Sequence, residues 1–201
     1  MKLFKNFLIF FFLILIGAVL YFYITVYANL TPALVDSNIR NEKIFKIMDT
    51  QKEFVDGSET NDSIPEKKSS SVIFYINKKP VNKEELKFAN FNNCKAFNWG
   101  GRTRIKIGFN SGYDGSGYEI IYVLGRFRLQ PYSFTDVDPD NRKSPDYKIL
   151  KQEITLDKLY YKVGDSIYGK IDFIMESSNF SSIKGLVYGN GYFRTKLTKS
   201  L

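Results

Sequence analysis

From Phe7 to Ala28 the chain has no charged side chain, and a short N-terminus carrying Lys2 and Lys5 precedes this run. At 1.5 Å rise per residue, a helix over it would be about 33 Å long, enough to cross a hydrocarbon core of about 30 Å. Residues 1–28 are therefore expected to form a transmembrane helix. Its length exceeds that of a usual signal-peptide core, which favours an anchor, although Val26-Tyr27-Ala28 supplies an acceptable cleavage triplet. Tyr21, Tyr23 and Tyr27 crowd the far half, where amphipathic rings settle at a membrane interface. The basic N-terminus nearest the apolar run should stay inside. The expected topology is N-in, C-out, with the bulk of the chain outside the cytoplasm, in the periplasm or at the cell surface.

The side chains available to an exported domain are unusual. The chain has one cysteine, Cys94, and no histidine. An intramolecular disulfide is excluded, so an apolar core must hold the domain together. Histidine-based triads, histidine general bases and most zinc sites are excluded as well. Carboxylate, tyrosine or lysine chemistry and oxygen-ligated calcium remain. The formal net charge is +8, of which two charges come from Lys2 and Lys5. Abundant Lys, Asn, Ile, Phe and Tyr beside sparse Pro and Ala resemble the bias of an AT-rich genome, which points to a bacterial envelope.

Beyond the apolar run, Asp36, Ser37 and Asn38 could cap a short amphipathic helix through Ile44, Ile47, Met48 and Phe54. Asp56 to Ser71 has the Ser, Gly and Lys content of a linker. Residues 29–71 are thus expected to be a short helix plus a polar stalk or loosely docked arm, and 72–201 an extracytoplasmic domain.

In that domain the hydrophobic period drops to two. Over Arg102 to Phe109, Thr103, Ile105, Ile107 and Phe109 alternate with Arg102, Arg104 and Lys106, as in a half-buried strand. A glycine-rich turn over 110–117 leads into a strand-like stretch from Tyr118 to Leu129, and the two should pair as a hairpin. Further strands are expected at 72–76, 147–156, 166–175, 183–188 and 192–197, with Gly189-Asn190-Gly191 as a turn between the last two. Asn82 can cap a short helix over 83–88. Many short strands separated by frequent turns predict a mainly β chain, an antiparallel β-sandwich, immunoglobulin-like or similar, behind the N-terminal helix. The phrase Tyr161 to Lys170 (YKVGDSIYGK) resembles the turn and strand common in extracellular immunoglobulin-like modules.

Two constellations could carry chemistry. Asp136, Asp138 and Asp140 alternate in a run that would let oxygen ligands converge on calcium. Against that reading, the sixth position of such a loop is Asn141 rather than Gly, the twelfth is Tyr147 rather than Glu, and Arg142 and Lys143 interrupt it. A plain acidic turn accounts for the same residues. The second is a basic stripe. If the even faces of the two hairpin strands lie together, Arg102, Arg104, Lys106, Arg126 and Arg128 share a surface with Tyr118 and Tyr122. Such a face suits an anionic glycan, lipid headgroups or an acidic envelope protein, and outside the cytoplasm nucleic acid is disfavoured.

The carboxylates Glu119, Asp165, Asp172 and Glu176 show no paired spacing, so no catalytic residue is assigned. The leading expectation is a non-enzymatic binding or structural module at the cell envelope, anchored by its N-terminal helix and needing no cofactor. The alternatives are a small carboxylate-based hydrolase or glycan-processing accessory, and a secreted module stabilised by calcium.

Overall fold

Helix α1 (Lys2–Phe22) contains an 18-residue window, Phe4–Tyr21, with a mean hydropathy of 2.2 and none of its surface buried within the protein. It is long and apolar enough to cross a membrane. A computed structural model describes residues 2–23, 27–51, 67–77, 93–110, 114–135, 146–178 and 184–200. Among the features expected above, the helix over 83–88, most of the polar linker and the Asp136, Asp138 and Asp140 run lie outside the described residues. Past α1, the Ala28 N–H donates to the Tyr23 carbonyl at 2.8 Å, a five-residue closure of π type. The Tyr23 and Tyr27 rings lie 5.6 Å apart across it.

The rest of the described chain is mostly strand. Two short strands come first, β1 (Thr31–Pro32) and β2 (Leu34–Val35), followed by a 3-10 turn over Ile39–Asn41 and helix α2 (Lys43–Asp49). Then follow β3 (Ile73–Ile76), β4 (Asn93–Trp99), β5 (Arg102–Asn110), β6 (Asp114–Val123), β7 (Arg126–Thr135), β8 (Tyr147–Leu156), β9 (Ser166–Ser178) and β10 (Lys184–Lys199). Their hydrogen-bonded order is β1-β7-β6-β5-β4-β10-β9-β8-β2, with β3 also on β10.

The two ends of this path, β1 and β2, are separated in the chain by Ala33 alone. β1 runs antiparallel to β7 and β2 parallel to β8, so one strap of chain joins both free edges and leaves the sheet nearly barrel-shaped. Gln152 seals the same seam. Its side-chain oxygen accepts from the Leu129 N–H at 3.0 Å, and its amide donates to the Thr31 hydroxyl at 2.6 Å. A mainly β chain behind an apolar helix is therefore what the structure shows. The finer expectation of an antiparallel, immunoglobulin-like sandwich is not confirmed, since one hydrogen-bonded path runs through the strands and includes two parallel pairs, β4 with β10 and β2 with β8.

Alternation builds the interior. Ile105 and Ile107 of β5, Ile120 of β6, Phe127 and Leu129 of β7, and Ile167, Ile171, Phe173 and Met175 of β9 are all buried in one core. A fully buried side chain of this size contributes roughly 1.5–3 kcal/mol. α2 covers the outside of β9 and β10, where the Phe45 ring meets Tyr168 and Tyr192 edge-on. Met48 and Phe45 are buried there, so residues 31–51 pack on the barrel. Ser70 is also fully buried and bridges to Phe193 of β10, although its stretch reads as linker in the sequence.

Two turns differ from expectation. The stretch from Tyr118 to Leu129 is split at Leu124 and Gly125, whose φ angles of 47° and 82° make a tight two-residue hairpin between β6 and β7. Conversely, Gly189-Asn190-Gly191 is no turn, because β10 runs straight through it. Gly189 lies opposite Phe173 and Gly169 opposite Phe193, and each phenyl ring occupies the space where the glycine lacks a Cβ. Gly189→Ala should therefore cost about 1–3 kcal/mol by overpacking, read from chemical denaturation. An unchanged midpoint would show that the Phe173 ring does not depend on that space.

Candidate functional site

Register decides which charges share a face. Thr103 pairs with Tyr122 across β5 and β6, so the even residues of one strand face the same way as the odd residues of the other. The next hairpin reverses parity again, with Tyr122 opposite Phe127. Arg104 of β5 and Arg128 of β7 thus flank Ile121 on the outer surface. The five expected cations do share one face. Tyr118 and Tyr122 do not, because the odd-number register turns both into the barrel. Tyr122 is buried at 4% exposure and donates to the Leu159 carbonyl at 2.5 Å. Burial pushes its phenol up to about 12.

Several of these cations have structural partners. The Arg104 guanidinium donates to Glu119 Oε2 at 2.5 Å, and the Gln130 amide donates to the same oxygen at 2.9 Å. Glu119 is 1% exposed although it sits on the outer face of its strand. Arg104 also lies over the Trp99 and Phe97 rings, at 5.4 and 5.6 Å. Arg126 grips the start of the strap. Its Nε and Nη2 donate to the Leu30 carbonyl at 2.8 and 2.6 Å, and its guanidinium stands 4.9 Å from the Tyr27 ring centre. Arg128 is exposed and donates to the Gln130 side chain at 3.0 Å, and Lys106 rests between the Tyr132 and Phe97 rings. The Tyr132 phenol is pushed up to about 12, chiefly by burial.

The outer face continues into a cleft that sequence reasoning missed. One edge of β10 is covered in turn by β3, by the chain around Ser70 and by β4, which joins it in parallel only at Leu197 to Lys199. Where these partners change, an open cleft of about 440 Å³ remains, with Lys67, Lys95, Arg194 and Lys196 among its lining residues. Lys95 pairs in register with Lys106, so cleft and stripe form one basic belt. The described counter-charge is Asp49 of α2, which accepts from Arg194 at 2.8 Å and lies 3.3 Å from Lys67. Those two cations hold its carboxyl below the usual carboxylate range, Arg194 most strongly. No period or motif marks this cleft in the sequence, because it arises from a change of strand partner.

The remaining carboxylates lie apart. Asp172 accepts from Lys151 at 3.0 Å on the outside of β9. Asp165 accepts from Lys158 at 2.7 Å in the loop before β9, which lowers its pKa. Glu176 sits in register with Lys148.

Two outcomes follow from these pairings. Arg104→Ala leaves the buried Glu119 carboxylate without its cation and should cost about 3 kcal/mol in a denaturation titration, whereas Arg128→Ala should cost under about 0.5 kcal/mol. Equal effects would contradict the division between structural and free cations. A depressed Asp49 pKa contributes stability above its unfolded value, and that contribution is lost as pH falls through the folded one. If the cleft takes a sulfated polymer, which stays ionised, acidification should strip Lys67 and Arg194 of this counter-charge and tighten its binding. Asp49→Asn should produce the same tightening at neutral pH, measured by titration calorimetry, and a weaker complex would refute it. Comparison with family models, with curated proteins and with solved structures finds no match to this chain.

Proposed function

We propose that the chain is a membrane-tethered module that binds an anionic partner of the cell envelope, an acidic glycan or the acidic surface of another envelope protein, without catalysing a reaction. α1 serves as a retained anchor, N-in and C-out, and the barrel works outside the cytoplasm. The observation that carries this reading is the basic belt. Lys95 and Lys196 line the cleft without an acidic partner among the described residues, and Lys106, Arg102 and Arg128 extend the positive surface across the outside of β5 and β7.

The aromatic rings set between these cations suit an extended ligand. Phe97 and Tyr132 flank Lys106, so aromatic and cationic groups alternate along the belt, a mixture that suits sugar rings or planar acidic groups. Positive potential over such a face raises the encounter rate with a polyanion and makes binding depend on salt. No covalent step is needed.

Dextran sulfate titrated against the full chain in nanodiscs is the direct test. The double substitution Lys95→Glu and Lys196→Glu should weaken binding at least tenfold, about 1.4 kcal/mol, with the melting temperature unchanged. Binding of equal strength in this variant, or no salt dependence in the native chain, would refute the belt as the binding surface.

A further inference from the structure

We infer that the end of the barrel from which α1 departs is a second interaction surface, one that beds into an anionic lipid bilayer. The inference rests on the reading of α1 as a retained anchor. Strands β4, β6, β8 and β10 all finish at this end, and β5, β7 and β9 begin there, as the antiparallel registers require. Its connections are the Gly100-Gly101 turn, the Leu124-Gly125 turn and the loop from Asp157 to Asp165. The second and third adjoin each other. Tyr122 bonds the Leu159 carbonyl, Gly125 abuts the Leu159 side chain, and the Gly164 N–H donates to the Leu197 carbonyl at 2.8 Å.

These connections expose large apolar side chains. Trp99 is 53% exposed, Leu124 64%, Tyr160 67%, Val163 53% and Leu159 38%. The cations Arg102, Lys162 and Lys199 belong to the same end. The acids there are largely answered, since Asp157 pairs with Arg40 and Asp165 with Lys158. Aromatic and aliphatic tips ringed by cations match the chemistry of an interface between acyl chains and acidic headgroups.

The tether puts this end against the bilayer. The Tyr27 hydroxyl donates to the Leu124 carbonyl at 3.5 Å, and the Tyr27 ring packs beside Tyr23, the residue that follows α1. The Leu124 turn is therefore within reach of one tyrosine side chain from the segment that follows α1. A protein partner here would have to wedge between barrel and membrane, whereas lipid is already in reach.

Trp99 is the only tryptophan and reports directly on its own surroundings. The full chain is reconstituted into vesicles of zwitterionic lipid, with or without an anionic fraction, and flotation after alkaline extraction is checked first. With acyl-brominated lipid, Trp99 emission should be quenched, and more strongly when anionic lipid is present. Leu124→Asp with Val163→Asp should restore emission while the chain still floats; aspartate suits the positive φ at position 124 better than leucine does. Unquenched Trp99 in a floating chain overturns the inference, leaves the anchor intact and assigns this end to a protein partner. Quenching that the two aspartates leave unchanged also overturns it. A chain that fails to float refutes the anchor itself, and the inference with it.

Discussion

The structure depends on one short strap. A curled sheet whose first and last strands stay unpaired carries two rows of exposed backbone groups, which invite slippage and edge-to-edge association. Here the edges are β7 and β8, and Thr31–Pro32 and Leu34–Val35 bond one each. The Ala33 N–H adds a bond to the Gly125 carbonyl at 2.9 Å, and the Asp36 N–H one to the Leu156 carbonyl at 2.9 Å. Gln152 completes the joint from inside, where a lost partner would leave a buried amide unsatisfied. The strap begins at Thr31, nine positions after α1 ends at Phe22, so the segment that closes the barrel is also the one that leads from the apolar helix.

That economy sorts the basic residues by task. Arg126 holds the strap's carbonyl and the Tyr27 ring, and Arg104 neutralises a carboxylate that the outer face buries. Arg194 ties α2 and the Lys68 carbonyl to β10. Lys95 and Lys196 have no such structural duty among the described residues. The cations of this face thus divide into a structural set and a free set, and Lys95 and Lys196 of the free set line the cleft. Asp49 links the two sets, because the cations it restrains line the same cleft.

Much of this was legible in the residues and some was not. Strict alternation over Arg102 to Phe109 and Ser166 to Met175 marks strands with one wet and one dry face, and both appear as read. The β8 limits, Tyr147 and Leu156, coincide with expectation. The parity of β6 was not legible, because it depends on the register of a hairpin, and one residue of register turns Tyr122 from solvent to core. Leu124-Gly125 hides as a turn because leucine is no signal for positive φ. The Gly189 to Gly191 phrase misleads for the opposite reason, since its first glycine makes room for Phe173. The burial of Ser70 and the cleft beside it come from long-range pairing that no local pattern encodes.

A strap that is integral to the barrel cannot open on its own. Native-state hydrogen exchange on the full chain reads this at the Ala33 and Asp36 amides, which donate across the closing seam. If the strap closes the sheet, both amides exchange as slowly as those in the middle of β5 and β6, through the same global opening. Exchange at the rate of an unstructured peptide, with β5 and β6 still protected, would show a barrel that folds without its strap and would contradict the account.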